Sequence, residues 1–217
     1  MATIYASSND GYIANAQPSW NSARGSSTGS LVTAIATRST FGVNAARTAS
    51  RGGGYTFTVT RSFFQFDTSG ISSEVESATF KVYGYLQTGG DIIAVKATSD
   101  IATLSTADFD AITGFNPVGT DGSGGADMES SVTKYSSEID TWSSSYNSIT
   151  LNSNALSDME DNDDLYICLM NYDYDLKDIA STGYSTHRNG IYYANYTGTS
   201  RDPYIDYTLA TVAEDNS

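Results

Sequence analysis

The feature that most constrains the fold of this chain is the alternation of apolar and polar residues in Tyr55–Thr60. A period of two residues is that of a β-strand with one face in a core. The phase then changes, because Phe63 continues the first register whereas Phe64 and Phe66 take the opposite one. This change predicts either a β-bulge or a strand that becomes buried on both faces.

A second clear alternation follows in Thr79–Leu86, after a turn predicted at Asp67–Gly70. Two short helical turns, each opened by a serine that can cap it, are predicted at Ser105–Ile112 and Ser153–Met159. Roughly ten short strands separated by Gly, Asn, Asp and Ser clusters are typical of an antiparallel β-sandwich or barrel. The further predicted strands are Asp91–Ala97, Ser131–Tyr135, Tyr146–Leu151, Leu165–Asn171, Gly190–Tyr196 and Tyr204–Leu209, with weaker ones at Thr3–Ala6, Tyr12–Ala14 and Leu31–Ala36.

The length of the chain and its aromatic content agree with this pattern. A single β-sandwich accommodates 217 residues, and no linker divides the sequence. The 16 tyrosines, against four methionines and two tryptophans, suit half-buried pleated surfaces better than helix bundles. We therefore predict one all-β domain over residues 1–217.

The charge is strongly acidic and unevenly distributed. A net charge of −14 argues against nucleic acid as a partner. No Asp or Glu occurs from Gly11 to Phe66, a stretch that contains five arginines, whereas Asp67–Ser217 carries 24 acids and six bases. The segment 11–54 is also rich in Gly, Ser and Ala. We predict that it is a basic arm that cannot build a core alone and packs on the acidic body or on a neighbouring chain.

The start of the chain has no targeting pattern. Met1–Tyr5 has neither the basic nor the apolar region of a signal peptide, and no window approaches the roughly 18 apolar residues that span a bilayer. We expect a protein that is made in a cytoplasm and does not enter a membrane.

The sequence offers few groups for catalysis. Cys168 lies within the apolar run Leu165–Met170, where a small buried hydrophobe is expected. His187 lies in a polar segment and is interpreted as a surface-loop residue, which leaves no good Ser/His/Asp or Cys/His set. Carboxylate pairs of the glycosidase kind stay open as an alternative, although an acidic surface supplies them in any case. We predict that the chain is not an enzyme.

Two acidic stretches gather the oxygen ligands that Ca²⁺ prefers, at Asp161–Asp164 and Asn171–Asp178. Neither has the glycine and distal glutamate of an EF-hand loop, so solvated acidic turns are favoured over a calcium site at Asp173, Asp175 and Asp178. His187 and Cys168 alone cannot form a zinc site. We predict no metal and no cofactor.

Two resemblances to known families add to these inferences. The segment Arg61–Ile71, followed by Ala78–Tyr85, resembles the core motif of DNRLRE-type β-sandwich modules of secreted and surface proteins. The opening Ile4–Ile13 and the ending Tyr192–Tyr207 are similar to virion structural proteins of tailed phages that infect marine bacteria. The second resemblance covers most of the chain, and it implies a jelly-roll-like antiparallel β-sandwich with a place on a capsid or tail.

The function expected from this resemblance is that of a capsid decoration (cement) or fibre component on the exterior of a phage virion. The implied partners are other copies of the chain, as a homotrimer, and other virion proteins such as the major capsid protein. The interface is predicted to include four arginines that lie against acidic surface of the same chain, a symmetry mate or a neighbouring protein. These arginines are Arg24, Arg38, Arg47 and Arg51.

A receptor- or glycan-binding module is the alternative function. Trp20, Trp142 and the cluster Tyr192–Tyr207 present aromatic faces that can stack on the sugar rings of a host-surface glycan. The same aromatic residues also suit a strand core or a subunit interface, so the sequence leaves both interpretations open.

Overall fold

The computed structural model describes residues 1–98, 103–117, 125–180 and 183–211. The helical elements are α1 (Trp20–Gly25), α2 (Ser153–Asp161), a 3-10 turn at Thr106–Asp108 and a π-helical turn at Tyr172–Leu176. The strands are β1 (Ala2–Tyr5), β2 (Gly11–Gln17), β3 (Leu31–Ala34), β4 (Arg38–Ala49), β5 (Tyr55–Asp67), β6 (Val75–Gln87), β7 (Ile92–Lys96), β8 (Tyr146–Thr150), β9 (Asp164–Asn171), β10 (Ser185–Tyr192) and β11 (Tyr204–Leu209).

The strands form two layers. Among the described residues, each pair of hydrogen-bonded strands is antiparallel. The outer layer contains β1, β11, β6 and β8. The inner layer runs β10-β4-β5-β2-β3, with β9 and β7 extending it from β5. Strand β10 also pairs with β6, which joins the two layers at one side. This arrangement confirms the predicted all-β antiparallel sandwich.

The first core lies between the two layers. Phe64 and Phe66 of β5 meet Phe80 of β6 edge to face, with ring centroids 5.2 and 5.4 Å apart. Ile167 and Leu169 of β9 belong to the same buried cluster. Because these residues alternate along their strands, every second residue in these parts of β5 and β9 faces this core.

A second core lies on the opposite face of the inner layer. Val59 and Phe63 of β5 and Cys168 of β9 pack there against α1 and the connection that carries Phe109 and Phe115. Strand β5 is therefore buried on both faces, which confirms one of the two explanations of its change of phase. Val59 and Phe80 belong to different cores, because Val59 points into the second core whereas Phe80 of β6 packs on the other face of the inner layer.

A network of two arginines and two aspartates crosses the second core. Arg61 donates two hydrogen bonds to the carboxylate of Asp175, each 2.7 Å long, and both side chains are fully buried. Arg24, also fully buried, lies 3.4 Å from Asp178 and donates to the carbonyl of Leu176 at 3.0 Å. The network thus ties α1 and β5 to the π-helical turn, and opposite charges balance inside it.

Residues 11–54 are an integral part of the sandwich rather than an arm attached to it. They form β2, α1, β3 and β4, and β4 pairs with both β5 and β10. The prediction of a basic arm packed on the body underestimated the role of this segment, because no strand was predicted at Arg38–Ala49, which forms β4. Small side chains such as Ala45 are here accommodated in buried strand positions.

Several predicted elements differ from the observed ones. Ser131–Tyr135 is not a strand, since only Lys134 forms an isolated bridge, with Val95. The strand predicted at Gly190–Tyr196 begins earlier, as β10, and ends at Tyr192. The helical turn predicted at Ser105–Ile112 is shortened to three residues.

The helix predicted at Ser153–Met159 is present as α2, but its cap is a different residue. The side chain of Asn152 accepts hydrogen bonds from the backbone amides of Asn154 and Ala155, at 3.0 and 3.3 Å. Asn is among the favoured residues at this position because its side-chain oxygen satisfies free amides of the first turn.

Candidate functional site

The candidate site is a cluster of seven tyrosines on the outward side of the outer layer, of which six are at least partly exposed and one, Tyr192 of β10, is buried beneath its neighbours. In β6, Phe80 and Val82 point into the first core, so Tyr83 and Tyr85 point outward by the period of two. Neighbouring strands add further rings at the same level. We call this surface the tyrosine face, and it consists of Tyr5, Tyr83, Tyr85, Tyr146, Tyr192, Tyr196 and Tyr204.

The rings of the tyrosine face touch one another in a continuous series. Tyr146 lies at its centre, with ring centroids 5.1 Å from Tyr83 and 5.2 Å from Tyr204. Tyr83 in turn meets Tyr192 at 5.5 Å, and Tyr204 meets Tyr5 at 5.7 Å. Most of these contacts are edge to face or tilted, which is the geometry that aromatic quadrupoles favour. The face is therefore preorganised by its own packing.

Two arginines lie on the tyrosine face. The guanidinium of Arg201 is 4.5 Å from the ring centroid of Tyr192 and 5.2 Å from that of Tyr83. Arg38 lies 5.4 Å from the ring of Tyr85, and its hydrogen bond with Tyr192 raises the pKa of the guanidinium. These cation–π contacts place positive charge on a protein that is acidic overall.

Two tyrosines of this face, Tyr146 and Tyr204, are held in the neutral form. Burial raises the pKa of Tyr146 to about 12, and Tyr204 and the charge on Asp202 contribute to the rise. Burial also raises the pKa of Tyr204, together with the charge on Asp206. The hydroxyl groups can therefore both donate and accept hydrogen bonds at any physiological pH.

The four arginines predicted at an interface lie in different environments. Arg24 is buried in the second core against aspartates of the same chain, so it is not accessible to a partner. Arg38 belongs to the tyrosine face. Arg47 lies 3.6 Å above the ring of Tyr55, and Arg51 is exposed in the turn between β4 and β5. The structure thus brings only Arg38 to the candidate site.

The two tryptophans predicted to stack on sugars are buried. Trp20 packs in the second core and donates its indole N–H to Asp178 at 2.8 Å. Trp142 packs in the first core and donates to the carbonyl of Gly190 at 3.2 Å. Their flat faces are covered by protein, so the tryptophan part of that prediction is wrong. Within Tyr192–Tyr207, the tyrosine face takes Tyr192, Tyr196 and Tyr204.

Cys168 and His187, the two residues examined as a nucleophile or a base, lie outside the tyrosine face and contact other parts of the protein. Cys168 is fully buried in β9, as predicted, and burial raises the pKa of its thiol. His187 is not in a loop but within β10, where Nδ1 is 2.9 Å from the carbonyl oxygen of Gly89. Its ring stacks on Tyr174 with centroids 4.0 Å apart.

The acidic loop Asn171–Asp178, considered above as a possible calcium site, contacts arginine side chains instead. Asp175 is fully buried against Arg61, and Asp178 contacts Arg24 and Trp20. The interpretation as a solvated acidic turn is therefore wrong for Asp175. It failed because the acidic loop and its arginine partners are more than 100 residues apart in sequence.

A groove of about 450 Å³ lies on the inner layer, in β2, β4, β5 and β10. Thr58 and Thr60 form part of its floor, on the same side of β5 as Phe64, so the groove continues the first core to an open end of the sandwich. Phe41, 42% exposed, stands at the rim under the guanidinium of Arg188, 4.7 Å from its ring. The groove combines hydroxyl groups with an aromatic ring.

Comparison of the chain with protein-family models and with curated proteins found no match. In the part of the chain that the structure describes, none of the helices has the length and apolar character needed to cross a membrane.

Proposed function

We propose that this protein is a structural component of a phage virion, a capsid decoration or fibre protein on the particle exterior. In this role it assembles with copies of itself, as a trimer, and with other virion proteins such as the major capsid protein. The tyrosine face is the observation that carries the proposal. The phage assignment itself rests on the sequence resemblance of Ile4–Ile13 and Tyr192–Tyr207.

The composition of the tyrosine face is that of a protein interface. Tyrosine and arginine are enriched in the buried centres of interfaces, where they supply much of the binding energy. Tyrosine offers a large contact area while losing little side-chain entropy, since only two torsions are fixed. A face on which Tyr146 and Arg201 are already held by neighbouring rings needs little reordering when a partner docks.

The distribution of charge also favours the tyrosine face as the interface between copies. Copies that each carry a net charge of −14 repel one another, so contact is least unfavourable where acids are few. Arg38 and Arg201 lie on the tyrosine face and give it local positive charge. They can pair with acidic surface of a neighbour through two hydrogen bonds each.

The test compares a double variant of the tyrosine face with a control. Tyr83→Ser combined with Tyr146→Ser should lower the oligomeric mass measured by light scattering and reduce the copies per particle measured by mass spectrometry. Tyr184→Ser is the matched control, because Tyr184 is 72% exposed and lies outside the face. Unchanged mass and unchanged copy number in the double variant would refute the role of this surface.

The arginines provide an independent comparison. Arg38→Ser with Arg201→Ser should make assembly weaker and less dependent on salt, since rim charges mainly steer association. Arg51→Ser, at an exposed turn outside the tyrosine face, should leave assembly unchanged. If the double variant and Arg51→Ser assemble equally well and with the same salt dependence, the arginine charges of the tyrosine face do not contribute to assembly.

A receptor- or glycan-binding module is the second candidate, and the groove on the inner layer favours it. Aromatic rims beside hydroxyl-lined floors suit ligands that present both apolar faces and hydroxyl groups. Binding to an array of host-surface glycans should be lost in Phe41→Ala and retained in Tyr184→Ala. Glycan binding that persists in Phe41→Ala would place the ligand elsewhere.

A further inference from the structure

The groove on the inner layer is crossed by a row of residues that ends in one positive charge. Thr60 of β5 is opposite both Ala14 of β2 and Asn44 of β4. Asn44 is in turn opposite Arg188 of β10. All four residues line the groove. With adjacent strands about 4.8 Å apart, the row extends for roughly 14 Å across the sheet.

Several polar groups of the groove have no hydrogen-bond partner in the protein. Among the described residues, the side-chain hydroxyls of Thr58, Thr60 and Thr186 form no hydrogen bond. Asn44 is 1% exposed, and its Oδ1 accepts no hydrogen bond from the described residues. Unused donors and acceptors in a concave surface suit a ligand that carries several hydroxyl groups of its own.

The charge of Arg188 is not neutralised by the protein. Its guanidinium lies 4.7 Å from the ring centroid of Phe41, and within the described part of the chain it forms no ion pair and no hydrogen bond. None of the described residues that line the groove is acidic. An unpaired guanidinium can bind a carboxylate through two parallel hydrogen bonds.

Two other cavities have the opposite charge. One of about 590 Å³ is lined in part by Asp67, Asp163 and Asp164. Another, of about 370 Å³, shares Asp163 and Asp164 and adds Asp158. An anionic ligand is repelled by carboxylates at these two places, whereas the groove presents Arg188 to it.

The position of the groove favours a sugar over an extended peptide. The groove lies on the face of the sheet, where β4 already pairs with β5 and β10, and β5 also pairs with β2. The main-chain groups of these strands are used in their own ladders, so a peptide cannot be added there as a further strand. Recognition therefore depends on side chains, and the groove supplies hydroxyl groups, the ring of Phe41 and the guanidinium of Arg188.

We propose that the groove binds an acidic sugar, a pyranose that carries a carboxylate, as uronic and sialic acids do. This inference rests on the second candidate function, glycan binding in the groove, and adds the charge of the ligand. The carboxylate accepts two hydrogen bonds from Arg188, the apolar side of the sugar ring packs beside Phe41, and the sugar hydroxyls bind Thr58 and Thr60. The volume of about 450 Å³ is that of a small-molecule site.

The first test is an array on which oligosaccharides of uronic and sialic acids are printed beside their methyl esters. The ester keeps the shape of the sugar and removes its charge. The unmodified protein should bind the esters at least about 10-fold more weakly than the acids, because a charge-assisted pair of hydrogen bonds is lost. Comparison of the uronic with the sialic acids identifies which class of acidic sugar is preferred.

Variants of Arg188 form the second test. Arg188→Gln should weaken binding of the acids at least about 10-fold and leave binding of the esters unchanged. Arg188→Lys should retain part of the affinity, since it keeps the charge but lacks the two-pronged geometry. It also serves as the folded variant if thermal unfolding shows that Arg188→Gln is disrupted. Arg51→Gln, in an exposed turn outside the groove, should bind as the unmodified protein does.

The outcomes separate this inference from the function on which it rests. Equal binding of acids and esters, or unchanged binding of the acids by both Arg188 variants, would overturn the acidic sugar and leave glycan binding in place. Absence of binding to every glycan on the array would overturn both. Displacement of a bound acidic sugar by tetraglutamate, at the concentration at which the free sugar itself competes, would overturn the choice of a sugar and assign an acidic peptide.

Discussion

The carboxylate of Asp175 accepts both of its side-chain hydrogen bonds from Arg61, and the two residues lie 114 positions apart in the sequence. The guanidinium is also enclosed by two rings, 4.1 Å from the centroid of Phe109 and 4.3 Å from that of Phe115. This pair fixes the π-helical turn to β5 across the second core. Its removal should therefore destabilise the whole fold.

Asp175→Asn should lower the free energy of unfolding by about 3–5 kcal/mol, because it leaves the charge of Arg61 buried without a counter-charge. Urea unfolding followed by circular dichroism measures this loss. Lys134→Gln is the control, since Lys134 and Glu129 form an exposed pair 3.7 Å apart that should contribute only about 0–1 kcal/mol. A loss in Asp175→Asn as small as that in the control would contradict the structural role of the pair.

Gly84→Ala should destabilise the protein by about 1–3 kcal/mol through overpacking. A Cβ at Gly84 would lie 2.3 Å from the carbonyl oxygen of Ser143 and 2.5 Å from the indole nitrogen of Trp142. Gly52→Ala is the matched control, because nothing lies within 4 Å of a Cβ at that position. Thermal unfolding of both variants checks the prediction, and equal melting temperatures would contradict it.

Phe80→Ala should cost about 3–5 kcal/mol, since its ring lies in the first core against Phe64 and Phe66. Phe57→Ala should cost less, because Phe57 is only partly buried at the edge of the second core. Chemical unfolding of the two variants gives the comparison. A larger loss for Phe57→Ala would mean that the edge contributes more stability than the centre.

Tyr146 should remain neutral at a pH where exposed tyrosines ionise. Its pKa is raised from 10.0 to about 12 in the folded protein, so the folded state holds the proton more tightly than the unfolded state. The contribution to stability is therefore present below pH 10 and is lost as the pH rises from 10 to about 12. Absorbance at the tyrosinate band should show a late-titrating group that disappears in Tyr146→Phe; a titration unchanged by this substitution would contradict the assignment.

Local patterns in the sequence predicted much of the fold. The two opposite registers of Phe63 and Phe64 lie next to each other, so the sequence reduced the interpretation of β5 to a β-bulge or burial on both faces, and the structure shows the second. Strand β4 was missed because it contains Gly42 and several alanines, whose small side chains show no clear alternation. Glycine and alanine fit in a strand where side chains of adjacent strands approach its backbone closely.

The candidate site was harder to predict, because it is assembled from distant strands. The alternation in β6 indicates that Tyr83 points away from Phe80, but not which residues lie beside it. Tyr5, Tyr146 and Tyr204 come from three other strands, and the pairing of β8 and β11 with β6, together with that of β1 with β11, brings them together. Arg201 gave no signal of its own, since a single arginine in a turn is usually exposed.

The pairing of β1 with β11 has a consequence for the order in which the protein is made. Ala2 is opposite Tyr207, so β1 leaves the ribosome long before β11 and waits for it before their ladder forms. At about 5–20 residues per second this delay lasts on the order of 10–40 seconds. During synthesis, therefore, the inner strands β2, β4 and β5 can pair early, whereas the outer layer closes only after β11 has been synthesised.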